Sequence, residues 1–86
     1  MHATGGFLQD TEAVYRITIL GKLDASWSDL MNGVEITVHE KTGHRYVTVL
    51  SGTFEDQAAL VGVLNTLYDL NMTLLSVEYL GIKPSS

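Results

Sequence analysis

The sequence predicts an α+β fold in which one long helix packs on a four-stranded antiparallel sheet. Four segments alternate apolar and polar residues, as half-buried strands do, and one segment spaces its leucines as an amphipathic helix does. Their order is strand, short helix, strand, strand, long helix, strand, which matches the ferredoxin-like (split βαβ) arrangement. If the short first helix is absent, the first three strands form a meander and the fold becomes βββαβ.

The first strand and the short helix are predicted in residues 14–32. Alternation from Val14 to Leu20 has the period of two that is typical of a half-buried strand. The pattern then breaks, and Asp24 or Ser26 can begin a short helix. The residues predicted to face inward from this helix are Trp27, Leu30 and Met31.

The second and third strands are predicted to form a hairpin around Gly43, which supplies the positive φ that tight loops need. Pairing His39 with His44 places Ile36 opposite Val47, so that one face of the ribbon is aliphatic. In this register the face away from the helix carries Tyr46, Thr48 and Leu50.

A long helix is predicted from Phe54 to Leu70, with Thr53 as its N-cap. Gly62 costs about 1 kcal/mol of helix propensity relative to alanine, which indicates that the helix lies close to the sheet there. Residues 73–80 alternate again and predict the fourth strand, with Leu75, Val77 and Tyr79 on the face that packs against the helix. The buried stripe of the helix is predicted to contain Leu60, Val63, Leu64 and Leu67.

The length of 86 residues predicts one domain, residues 13–81, between flexible termini at 1–12 and 82–86. The chain has no cysteine, its first residues do not resemble a signal peptide, and no apolar run reaches about 18 residues. We therefore expect a soluble cytoplasmic protein without disulfides or membrane contact. A net charge of −5 and scattered basic residues argue against a nucleic-acid partner.

Three motifs carry a resemblance to known proteins. They are G-x-L-x-x-x-W-S from Gly21, D-Q-A-A-L-x-G-x-L-N from Asp56 and L-L-S-V from Leu74. In these motifs the chain resembles a group of short, mostly uncharacterised bacterial proteins, over residues 15–77. The resemblance implies a stand-alone bacterial domain and brings no activity with it. The order of elements is also similar to that of ACT domains, which implies small-molecule sensing as an alternative.

A candidate metal site is the pair His39 and His44, which the predicted register places on opposite strands. Such a position brings Cβ atoms within about 4.5–5.5 Å, close enough to share a metal ion. Glu40 or His2 could complete the ligand set. The alternative is that both histidines are solvated residues beside an exposed loop.

Other candidates for function lie on the predicted surface. Asp56 and Gln57 could work as an acid–base pair at the start of the helix, or could serve only its cap and dipole. Trp27 is either a core or interface anchor or a platform for a ligand, and the first interpretation is favoured. The residues predicted to form an interaction surface are Leu20, Trp27, Tyr46, Leu50, Asp56, Gln57, Leu74 and Leu80.

These patterns predict a non-catalytic interaction or regulatory module that acts as a homo-oligomer. Leucines toward the ends of the uncovered sheet face are more than a solvated face needs, and a symmetric dimer is the commonest way to bury them. A further protein partner or a small ligand fits the same surface. The alternative is a small enzyme or an ACT-like sensor with its site at a subunit interface. The sequence shows no catalytic motif and calls for no cofactor.

Overall fold

The computed structural model describes residues 12–82 of the chain. Apart from Glu12 and Ile82, the predicted flexible termini lie outside the described residues. The elements are β1 (Ala13–Leu20), a 3₁₀ helix (Ala25–Met31), β2 (Glu35–Lys41), β3 (Arg45–Phe54), α1 (Gln57–Asp69) and β4 (Thr73–Ile82).

The four strands form one antiparallel sheet in the order β2-β3-β1-β4, and α1 is the main helix. The predicted α+β fold is confirmed at this level. Because β1 pairs with β3 and β4, and β2 pairs with β3, the first three strands do not form a meander. Strands β2 and β4 are therefore the two edges of the sheet. The 3₁₀ helix spans seven residues, so the short first helix is present.

The predicted register of the β2–β3 hairpin is wrong by three residues. His39 lies opposite Val47 instead of His44, and Ile36 lies opposite Leu50. The reason is the loop: His44 has a left-handed backbone, with φ of 62°, and belongs to the turn with Gly43. An odd shift turns every side chain of β3 to the other face of the sheet. The two residues moved from the outer face into the core are Thr48 and Leu50.

The core lies between the sheet and the helical layer. Ile17 and Ile19 of β1 and Leu50 of β3 have no exposed surface, and Phe54 closes one end of the same cluster. The predicted stripe of α1 is confirmed, with Leu64 only partly buried. The buried residues of the helix are Leu60, Val63 and Leu67.

Helix α1 begins three residues later than predicted, at Gln57 instead of Phe54. The third strand continues through Phe54, and Thr53 pairs with Val14 in the sheet, so Thr53 is not the N-cap. Asp56 takes that role, because its Oδ1 accepts a hydrogen bond from the Ala59 backbone N–H at 2.9 Å.

The 3₁₀ helix buries a different set of residues than predicted. Met31 is fully buried and Trp27 packs against the core, but Leu30 is 70% exposed. With three residues per turn, Ser28 and Met31 lie on the same side of the helix. Ser28 Oγ donates a 2.6 Å hydrogen bond to the carbonyl oxygen of Val34. This bond holds the side of the helix with Ser28 and Met31 toward the core, and Leu30 is left in solvent.

Gly62 does not mark a close contact between α1 and the sheet. The residue is exposed, and a Cβ atom built on it would meet nothing within 4 Å. Gly62→Ala is therefore expected to raise the free energy of unfolding by about 0.5–1 kcal/mol, because alanine loses less backbone entropy in a helix. Urea unfolding followed by circular dichroism measures the change.

The matched control for this substitution is Gly52→Ala. A Cβ at Gly52 would lie 3.2 Å from Val34 Cγ1 and 3.3 Å from Val34 Cα, so this change should lower stability. A loss of stability in Gly62→Ala would show that the exposed face of α1 is covered in solution.

Between residues 12 and 82, no helix has the length and apolar character needed to cross a membrane.

Candidate interaction surface

Strand β4 is exposed along most of its length and carries large apolar side chains. It pairs with β1 along one edge, and no other described strand pairs with its outer edge. Residues 73–80 are all exposed. Six large apolar residues of the strand keep between 39% and 64% of their surface in solvent. They are Leu74, Leu75, Val77, Tyr79, Leu80 and Ile82, and together they are called the β4 surface.

The helical layer is too narrow to cover β4. A four-stranded sheet is about 19 Å wide, because neighbouring strands lie about 4.8 Å apart. A single α-helix with its side chains is about 10 Å across. Helix α1 buries the central strands β1 and β3, while Val77 and Tyr79, on the helix side of β4, stay exposed. The sequence pattern predicted that Val77 lies under the helix, which the exposure of β4 contradicts.

Two irregularities in the pairing of β4 with β1 add apolar groups to this edge. Ser76 pairs with Thr18 and Leu74 with Ile19, which leaves Leu75 as an extra residue. A second shift, between Val14 and Tyr15, leaves Leu80 as an extra residue in the same way. An extra residue of this kind is unpaired and bends its strand. Both extra residues are leucines, and both are exposed.

One flank of α1 extends the apolar surface. Val61 and Tyr68 are exposed, and seven residues, or two turns, separate them, so they lie on the same side of the helix. Almost all β–α–β crossovers are right-handed, and a right-handed connection from β3 to β4 would turn that flank toward β4. On the sheet, the Tyr15 ring holds the Tyr79 ring in an edge-on contact at 5.6 Å between centroids. The β4 surface and the α1 flank are therefore treated together as one apolar border.

The opposite edge of the sheet, β2, has a different character. Its exposed residues include Glu35, His39, Glu40 and Lys41. Charged side chains on an edge strand oppose pairing with another chain. Strand β4 contains one charged residue, Glu78, whose Oε1 lies 3.3 Å from Arg16 Nε on the neighbouring strand. The two edges thus differ sharply in charge and in apolar character.

The predicted outer face of the sheet is only partly as expected. Leu20 is exposed there, whereas Leu50 is core, and Val47 and Val49 occupy this face because of the hairpin register. Tyr46 is half-buried, and the Lys22 Nζ lies 4.5 Å from the centre of its ring.

The two histidines do not face each other across the hairpin. His39 is opposite Val47, and His44 lies in the turn with its Nδ1 3.6 Å from Glu40 Oε2. That contact is a surface ion pair when His44 is protonated, and the His44 side chain is 93% exposed. Within residues 12–82, no three histidine, cysteine or carboxylate residues come close enough together to hold a metal ion. The cross-strand geometry predicted for a metal site is wrong.

Comparison with known families assigns the chain to one of them. Residues 14–78 match the family model described as Domain of unknown function (DUF8691). The chain belongs to this family. No curated protein and no solved structure matches the chain. The matched region of the DUF8691 domain runs from β1 to Glu78 in β4, so it includes half of the β4 surface, namely Leu74, Leu75 and Val77.

The remaining predicted site residues of the DUF8691 domain lie in and around the helical layer. Asp56 caps α1, as described above, and Gln57 is the exposed first residue of that helix. Trp27 is partly buried against the core, which agrees with its interpretation as an anchor. The cap thus gives the Asp56 carboxylate a structural role.

Two open hollows lie near the point where β1 of the DUF8691 domain leaves the sheet. The larger is about 550 Å³ and the smaller about 290 Å³. Their walls mix charged and apolar groups without the converging polar atoms that fix a small ligand. The larger hollow is lined by Lys22, Leu23, Asp24, Ala25 and Val38, and the smaller by Leu20, Gly21, Arg45 and Tyr46.

Proposed function

We propose that this chain is a small non-catalytic interaction or regulatory module of the bacterial cytoplasm that acts as a homo-oligomer. The observation that carries the proposal is the β4 surface, with six large apolar side chains at or above 39% exposure on one edge strand. Scattered exposed apolar residues are ordinary in a monomer, but a contiguous apolar border marks an interaction site. The function supported best is therefore association through that border.

Domain size supports the same proposal. A chain of 86 residues buries only about 60–65% of the surface that its unfolded form exposes, so its own core gives modest stability. Burial of the β4 surface against a partner would add apolar contacts that the monomer lacks. Self-association then stabilises the fold and creates the assembled module in a single step.

We further propose that the architecture is a ferredoxin-like split βαβ fold whose first helix is shortened to the 3₁₀ helix. The support is that each crossover skips one strand: β1 and β2 lie on either side of β3, and β3 and β4 lie on either side of β1. A shortened first helix leaves α1 as the single α-helix over the sheet among residues 12–82, and one helix is too narrow to cover all four strands. The solved structure of the assembled protein tests both points together.

The oligomeric state tests the proposal directly. Light scattering coupled to size exclusion at micromolar concentration is expected to give twice the 9.4 kDa of one chain. An apolar contact should persist in about 1 M NaCl, where the Debye length falls to about 3 Å and interactions between exposed charges are screened. A mass of one chain across this range of salt and concentration would contradict self-association.

A further inference from the structure

We propose that β4 of a second copy pairs with β4 of the first, antiparallel and centred on Val77, so that two sheets continue as one eight-stranded sheet. The inference rests on the proposed function, because it names the surface and the partner through which the chain associates. The occupant of the β4 surface is thus another copy of this chain. The two-fold axis would pass between the two Val77 residues.

The choice of edge follows from the contrast between β4 and β2. Along the outer edge of β4, backbone N–H and C=O groups have no partner strand among residues 12–82. A largely apolar edge of this kind is a ready template for another strand, whereas the charged β2 edge opposes pairing. Glu78 does not protect β4 as a free charge would, because Arg16 on β1 lies 3.3 Å away.

The register follows from the residues that would face each other. When Val77 meets its own copy, Leu75 lies opposite Tyr79 of the partner and Ser76 lies opposite Glu78. Apolar groups then meet on the helix side, and a hydroxyl meets the carboxylate on the open side. A shift that centres the pair on Glu78 would place two carboxylates directly opposite each other, which destabilises a cross-strand pair. A shift of one residue would set Val77 against Glu78.

The area available is close to what a stable dimer needs. Ten residues at about 3.4 Å each give β4 an edge about 34 Å long. The sheet and the helix above it form two layers with a combined thickness of about 20 Å. Their product is about 700 Å² per protomer, near the roughly 800 Å² per partner of a standard interface. The α1 flank with Val61 and Tyr68 belongs to the upper of these layers.

The absence of cysteine from the sequence makes a direct test possible. Val77→Cys introduces a single thiol at the proposed axis. Directly opposed residues of an antiparallel pair have Cα atoms about 4.5–5.5 Å apart, which a disulfide can span. The matched control is Val38→Cys on β2, since Val38 and Val77 are 38% and 39% exposed. Mild oxidation should convert most of Val77→Cys to covalent dimer, at least tenfold faster than Val38→Cys.

A second pair of variants tests the same edge without oxidation. Val77→Lys places a charge at the axis, and light scattering should then give the mass of one chain. Val38→Lys should keep the mass of two chains. Circular dichroism and the Tm of each variant show that the fold is intact, and the cysteine pair stays informative if a lysine variant fails to fold.

The outcomes separate this inference from the proposed function. A dimer in which Val77→Cys cross-links no faster than Val38→Cys, and which survives Val77→Lys, overturns the β4 pairing and leaves self-association standing. A wild-type monomer overturns both, including the case in which residues 1–11 of the same chain cover β4. Rapid cross-linking at Val77 together with dissociation by Val77→Lys supports the proposed pairing.

Discussion

Leu50→Ala is expected to lower the free energy of unfolding by about 3–4 kcal/mol, the largest single effect proposed for this chain. Leu50 has no exposed surface and lies between Ile17 of β1 and Ile36 of β2 in the centre of the sheet. Alanine would remove its buried methyl groups and leave a cavity that rigid neighbouring strands cannot close.

The control is the adjacent residue. Val49 points to the open face, is only partly buried, and pairs with Thr18 and Thr37, so Val49→Ala should cost about 1 kcal/mol or less. Urea unfolding followed by the fluorescence of Trp27 gives both values. The two substitutions also test the hairpin register. The register predicted from the sequence would place Val49 in the core and Leu50 on the open face, so Val49→Ala would then cause the greater loss of stability. A greater loss at Val49 than at Leu50 would contradict the structure.

Thr48→Val should cost about 2 kcal/mol, although the two side chains have nearly the same shape. The Thr48 Oγ1 donates to the Gly21 carbonyl oxygen at 2.7 Å and accepts from the Leu23 backbone N–H at 3.1 Å. Thr48 itself is fully buried. Valine would leave the Leu23 N–H and the Gly21 carbonyl, in the connection between β1 and the 3₁₀ helix, without their partner. An unpaired buried polar group carries its full desolvation penalty.

Thr48→Ser is the control for that substitution, because serine keeps the hydroxyl and loses one methyl group. Serine should cost less than valine, and amide hydrogen exchange at Leu23 should speed up in the valine variant alone. Thermal unfolding and exchange followed by NMR measure the two effects. If valine were as stable as threonine, the Thr48 hydroxyl would not hold this connection in solution.

The spacing of apolar residues in the sequence correctly predicted which side of β1 and which side of α1 is buried. The alternation that contains Ile17 and Ile19 reports one buried side of β1, and the spacing of Leu60 and Val63 reports one side of α1. In both cases the apolar pattern and the buried face coincide, because each element packs on the core with one side only.

The hairpin register escaped prediction because it depends on a turn instead of a period. Both possible registers place aliphatic residues on one face of β2, and the pattern alone does not choose between them. The choice is made by His44, which takes a left-handed backbone beside Gly43. Histidine adopts this conformation more often than most non-glycine residues, and this preference is a signal in the sequence that the turn includes His44.

The candidate surface was only partly predictable. Leu74 and Leu80 were predicted as interaction residues and are exposed on β4, but Val77 and Tyr79 were predicted to be covered. A period of two tells which face a residue occupies. It does not tell how far the layer above extends, and one helix does not reach across four strands.

The charges of β2 have a consequence for how growth of the assembly ends. If both edge strands could pair with another copy, each added copy would present a new unpaired edge. The chains would then polymerise into a fibre instead of stopping at two. The charges of Glu35, Glu40 and Lys41 discourage strand addition along β2, so the dimer proposed through β4 would stop at two copies. Solubility would then depend on residues that lie farthest from the contact itself.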